Sequence, residues 1–134
     1  MDIFDGDNLT PPTFYAAPFL ADVKAALSQR GVAIHNLHSG GPALDASLHA
    51  AAEAYTAAFG PRACCLVPTL GRTTPAAEEL DEKCEPQNTI LAAAADPSAF
   101  ATLDALLEAA NRERAAHGLL FDAAARLQQL DVYE

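Results

Sequence analysis

The sequence predicts an α/β fold with a partly parallel sheet, on three observations. Helix-like and strand-like stretches alternate between residues 14 and 95. The strand-like runs are short, apolar and fenced by Gly, Pro and Ser. The chain opens on Asp2-Ile3-Phe4-Asp5-Gly6-Asp7-Asn8, whose D-x-x-D acids suit the carboxyl end of a strand, where open α/β sheets hold their ligands. No strand-forming run precedes these acids, so the chain reads as a truncated, single partial domain. Residues 1–13 are an active-site-like loop, 14–95 a helix/strand half-sheet and 98–134 C-terminal helices.

Each element has a local reason. Pro11 and Pro12 suit an entry turn but block helix propagation behind them. A helix is predicted over 14–29, with Phe19, Leu20, Val23 and Leu27 on one stripe and Gly31 in the place of a left-handed cap. Val32 to Leu37, between Gly31 and Ser39-Gly40-Gly41, reads as a strand. Pro42 opens a helix over 43–59, in which Leu44, Leu48, Ala51, Ala52, Tyr55 and Phe59 form one face and Gly60-Pro61 the stop. Residues 63–68 make a second strand ending at Pro68, and 71–87, polar and acidic, an exposed loop. Thr89-Ile90-Leu91 before an alanine run and Asp96-Pro97 favour a third strand over 88–95. With no crossover helix before it, that third strand is expected to be antiparallel. Beyond Ser98 two helical stretches follow, separated at Gly118. Three strands make a thin sheet, and the first, at 32–37, lacks a neighbour on one side.

Composition narrows the function. A chain of 134 residues, 51% hydrophobic, holds one core, although alanine makes up much of that share. A net charge of −10 argues against nucleic acid or an anionic membrane and sits comfortably with a cationic or neutral substrate. The same charge also serves plain solubility. Three cysteines, Cys64, Cys65 and Cys84, form no C-x-x-C and read as free thiols in a reducing, cytoplasmic compartment. The start of the chain lacks a basic-then-apolar leader, and no apolar run is long enough to span a bilayer.

Most chemistry-bearing residues have an ordinary alternative. Asp2, Asp5 and Asp7 alone are a solvated acidic tail. His35 and His38 have H-x-x-H spacing, but three residues along a strand put them on opposite faces, which disfavours a shared metal. Asn36 suits a hydrogen-bonded strand end as well as a pocket. Phe14 and Tyr15 either close over a substrate or pack on the following helix. Cys64 and Cys65 alternate across a strand, so one is expected inside, and neither has a visible activating partner.

The order of D-x-x-D-x-D-N, Pro11-Pro12, Phe14-Tyr15, Phe19-Leu20, Gly31 and the strand containing Asn36 resembles the C-terminal half of the spermidine synthase-like class of S-adenosylmethionine-dependent transferases. The similarity extends over residues 2 to 95, through "NTILAAAA". It implies a Rossmann-like, class I methyltransferase three-layer sandwich of seven strands, the last antiparallel, with about three of them in this half. It also implies S-adenosyl-L-methionine as cofactor, with Asp2 as the base toward an attacking amine and Asp5 holding that amine. Asp7, Asn8, Phe14, Tyr15 and Asn36 then line the substrate side. The acids have a physical rationale, because an amine is protonated near neutral pH and needs a carboxylate to attract it and a group to take its proton.

Two departures matter. The family's glycine-rich cofactor loop and ribose-binding acid lie after its first strand, and the seven glycines here form no G-x-G-x-x-G. Cofactor binding and turnover by this chain alone are therefore not expected, and the natural partner is a complementing N-terminal half or a homodimer mate. Gly6-Asp7-Asn8 also replaces the Pro and Gly-Pro usual in polyamine enzymes, which leans toward methyltransferases acting on a protein lysine or another amine. The alternative from another class is a non-catalytic interaction module that adds its free strand at 32–37 to another sheet.

Overall fold

The computed structural model describes residues 1–68, 87–96, 98, 102–118 and 128–129. Its framework is a sheet with strands β1 (Val32–Ser39), β2 (Cys64–Pro68), β3 (Gln87–Ala94) and a two-residue β4 (Gln128–Gln129) in the order β1-β3-β2-β4. β3 is antiparallel to both β1 and β2, so those two run parallel to each other with β3 between them. Helix α2 (Pro42–Phe59) links them, a split β-α-β unit closed by an antiparallel middle strand. The mixed α/β fold and the antiparallel third strand agree with the sequence-based expectation.

Alternation in β1 decides which residues meet the helices. Ala33, His35, Leu37 and Ser39 are buried, whereas Val32 and Ile34 are exposed. The register carries the two faces across the sheet: Leu66 stands opposite Leu91 and Cys64 opposite Ala93 on the helix side, with Ile34 opposite Ala92 on the other. α2 seats Leu48, Ala51, Ala52, Tyr55 and Phe59 on the sheet, the face its spacing predicted. Helix α1 (Ala17–Ala26) adds Leu20, fully buried, with Phe19 and Val23 against the same core. Small residues at Ala51, Ala63 and Ala93 let helix and strands approach closely, so the core is thin but closed.

Several boundaries differ from those read in the sequence, each for a local reason. Residues Pro12–Phe14 form a 3-10 turn, and α1 begins only at Ala17 with Pro18 in its first turn. α1 ends at Ala26 because Leu27 turns extended (φ −75°, ψ 141°) and packs its side chain on the core. Gly31 is consequently not a left-handed cap: its N–H donates to Ser28 O at 2.8 Å, and a β-carbon there would stand 3.0 Å from that oxygen. Gly118 does take the left-handed cap (φ 62°, ψ 35°) after α3 (Leu103–His117). Gln128–Gln129, expected in a helix, pair with Cys65 and Leu66 as β4, so a sheet edge overrides helical propensity there. The loop expected at 71–87 and Cys84 lie outside the described residues, except that Gln87 begins β3.

The outer edge of β1 is not free along its length. Asp2 bridges Asn36 in parallel, the Asn36 N–H donates to Met1 O at 2.8 Å, and the Met1 amino group donates to the Ile34 carbonyl. The opening residues therefore take a strand's place beside β1, where the sequence suggested only a loop. Ile34 nevertheless remains 54% exposed and Val32 45% exposed on the face away from the helices.

Candidate functional site

The acidic loop is built by Asp5. Its Oδ1 accepts from the N–H groups of Asp7 and Leu9, both at 2.9 Å, and its own N–H donates to Leu9 O at 2.9 Å. Such an Asx turn needs a short carboxylate or amide at that position. Asn8 completes it in the left-handed region (φ 62°), which asparagine tolerates better than most residues. The tight turn carries the chain back across the carboxyl-terminal half of β1.

Two contacts pin it there. The Asn36 side-chain amide donates to Asp2 Oδ1 at 3.1 Å. His38, two residues further along the same face, stacks its ring on Phe4 with centroids 3.9 Å apart and planes 6° from parallel, and its Nδ1 lies 3.2 Å from the carbonyl oxygen of Asn8. Asp2, Phe4, Asn8, Asn36 and His38 thus gather at one corner, on the exposed side of the sheet.

The residues read from the sequence divide accordingly. Asp2 and Asn36 are brought together. Asp5, Asp7 and Asn8 form the adjacent turn, with Asp5 Oδ1 already taken by two backbone donors. Phe14 lies in the 3-10 turn, edge-on to Phe19 at 5.5 Å and 86°, and Tyr15 packs against the core; both stabilise α1 instead of joining the corner. Phe4 and His38 were missed as site residues. The signal was available, since positions 36 and 38 share a face and Phe4 follows Asp2 at the same period of two.

His35 faces the opposite way, as strand alternation requires. It is fully buried, with Nδ1 3.2 Å from the Tyr55 hydroxyl, and Nε2 is sealed without a hydrogen-bond partner. Burial, with the positive Met1 amino group nearby, lowers its pKa to about 4, so the ring is neutral near pH 7. Tyr55 is pushed up by the same burial.

Cys64 and Cys65 are both buried, against the expectation that one would be. Burial raises the Cys64 thiol to about 12 and the Cys65 thiol to about 11, so both stay protonated and unreactive. Among the described residues, no group of three or more His, Cys, Asp or Glu is placed to hold a metal. No helix among them is long and apolar enough to cross a membrane.

Among the described residues, no set of free backbone N–H groups forms a cradle for S-adenosylmethionine. The paired glycines between β1 and α2 are the natural place for one, yet the Gly40 N–H is already bound to Asp45 Oδ1 at 3.1 Å. That carboxylate caps the junction from within the helix's own first turn. What the fold and the corner define is an α/β domain with an acidic loop at a strand end. No family model, curated protein or solved structure matches the chain.

Proposed function

We propose that this chain is the acceptor-side half of a transferase of the S-adenosylmethionine-dependent, spermidine synthase-like class, binding an amine and inactive without a cofactor-holding partner. The observation that carries the proposal is the Asp2–Asn36 bridge. It sets the first acid of D-x-x-D beside the carboxyl-terminal half of a strand, its carboxylate fixed by an amide. Two further features support it. An antiparallel β3 fits the antiparallel last strand that the resemblance implies, and exposed Val32 and Ile34 leave room for a further layer of a Rossmann-like sandwich. Asp2 attracts the ammonium, whereas Asp5 shapes the turn. The acceptor is a small amine or a protein lysine, and the group moved is a methyl or an aminopropyl. Free, protonated thiols suit a cytoplasmic setting.

Titration of 1,4-diaminobutane followed by amide NMR tests this. Shifts should concentrate at Asp2, Asn36 and the 5–9 turn, and Asp2→Asn should weaken binding about three- to fivefold, the scale of an exposed ion pair of ~1 kcal/mol. Absence of shifts at this corner, or binding indifferent to Asp2→Asn, sinks the proposal.

The second reading, a non-catalytic interaction module, draws on the same exposed Val32 and Ile34. Since Met1 and Asp2 already occupy the β1 edge around Ile34 and Asn36, association would use the sheet face and not strand addition. Light scattering that shows a concentration-independent monomer, unchanged by Ile34→Lys, removes self-association from consideration.

A further inference from the structure

We propose that His38 is the proton acceptor of this corner, its imidazole locked in the tautomer that leaves Nε2 as a free base; this rests on the amine-acceptor reading above. Nδ1 faces the Asn8 carbonyl oxygen at 3.2 Å. A carbonyl only accepts, so Nδ1 carries the hydrogen, and in the neutral ring Nε2 holds an unprotonated lone pair. An unconstrained histidine favours the opposite tautomer, so the Asn8 contact is what selects this one. The Phe4 stack fixes the ring plane as well. Among the described residues no hydrogen bond engages Nε2, and unlike His35 Nε2 it is not sealed from solvent.

The two strand residues divide the work. Asn36 holds the Asp2 carboxylate, and His38 stands roughly 7 Å further along the same face, the repeat of two strand residues. One Asp2 oxygen is already hydrogen-bonded, which favours attraction over proton transfer as its role. Histidine is the side chain most often used to take a proton from a reacting group. In the step inferred here, an ammonium held by Asp2 loses one N–H proton to Nε2. Its nitrogen keeps the bonding pair as a lone pair, the ring becomes imidazolium, and water then removes the proton from the ring. His38 was weighed in the sequence only as one member of an H-x-x-H pair; the fold separates it from His35 and gives it a different neighbourhood.

Long-range proton–nitrogen spectra of the histidine rings in the full chain, with and without 1,4-diaminobutane, test the inference. The expected result is a protonated Nδ1 and a lone-pair Nε2 at His38, with Nε2 shifting on addition of the diamine while His35 stays still. A hydrogen found on Nε2 overturns the inference. So does an unmoved Nε2 when the Asp2 and Asn36 amides shift, an outcome that leaves the amine site standing. If none of these signals responds, the acceptor reading fails and this inference fails with it.

Discussion

His35 Nδ1 lies 3.2 Å from the Tyr55 hydroxyl, a polar pair enclosed between β1 and α2 beside the apolar cluster of the core. The folded protein holds this imidazole at a pKa of about 4 against an ordinary 6.5, so the unfolded chain binds the proton more readily. The stability contributed by the neutral ring is therefore complete above pH 6.5 and is lost as pH falls toward 4. The upper bound is about 3 kcal/mol across that window. Urea midpoints of the wild type and His35→Phe, measured from pH 7 to pH 4, should diverge in slope, with the variant flatter. Parallel slopes would show that His35 does not titrate in the unfolding transition.

Tyr55 makes the same pair testable from its other side. Tyr55→Phe keeps the ring stacked on Phe59, at 5.8 Å and 14°, and removes only the hydroxyl. His35 would then have neither ring nitrogen satisfied, at a cost of about 1–3 kcal/mol. A loss well under 0.5 kcal/mol in denaturant titration would mean that His35 Nδ1 finds another partner once the hydroxyl is gone.

Asp5 separates shape from charge. Asp5→Asn keeps an Oδ1 for the Asp7 and Leu9 N–H groups, whereas Asp5→Ala removes it. We expect Asp5→Asn to melt and bind diamine like wild type, and Asp5→Ala to lose about 1 kcal/mol along with ordered amide shifts in residues 5–9. If Asp5→Asn alone abolishes diamine binding, its charge is used directly and the turn-forming role is secondary.

Sequence periodicity revealed more of the fold than of the site, for reasons visible in particular residues. The α2 face was legible because Leu48, Ala51, Ala52, Tyr55 and Phe59 repeat at helical spacing and all reach the sheet. Strand β1 was legible from its fences, but its pairing was not. Nothing in Val32–Ser39 signals that β3 will lie between β1 and β2, since that depends on non-local partners. Gly31 misled because a glycine after a helix is usually a left-handed cap, whereas here it relieves a clash with Ser28 O. The D-x-x-D motif marked the acids of the opening turn but not what each of them bonds. Whether Asp5 binds a ligand or its own backbone is decided by the turn through Asn8.

Alanine at the helix–sheet contact predicts low tolerance for larger residues. Ala51 is fully buried on the α2 face that meets the sheet. Ala51→Leu adds volume at a fully buried position and should destabilise by about 1–3 kcal/mol in thermal or denaturant unfolding. Exposed Ala57 on the opposite face of α2 provides the control, where leucine should change stability by less than about 0.5 kcal/mol. Equal effects at both positions would mean that α2 is not packed as described.

Tight binding of S-adenosylmethionine needs a glycine-rich turn whose N–H groups are free and an acid toward the ribose, and the Ser39-Gly40-Gly41-Pro42 junction offers its Gly40 N–H to Asp45 instead. Calorimetry of the purified 134-residue chain with S-adenosylmethionine should therefore show no saturable heat at tens of micromolar cofactor, and methyl transfer to diamine or lysine peptides should stay at background. Asp45→Ala frees the Gly40 N–H, but it supplies neither the glycine-rich turn nor the ribose-binding acid, so it should not rescue binding. Saturable binding by the wild-type chain would place a cofactor site within these residues and overturn the division into an acceptor half and a cofactor-holding partner.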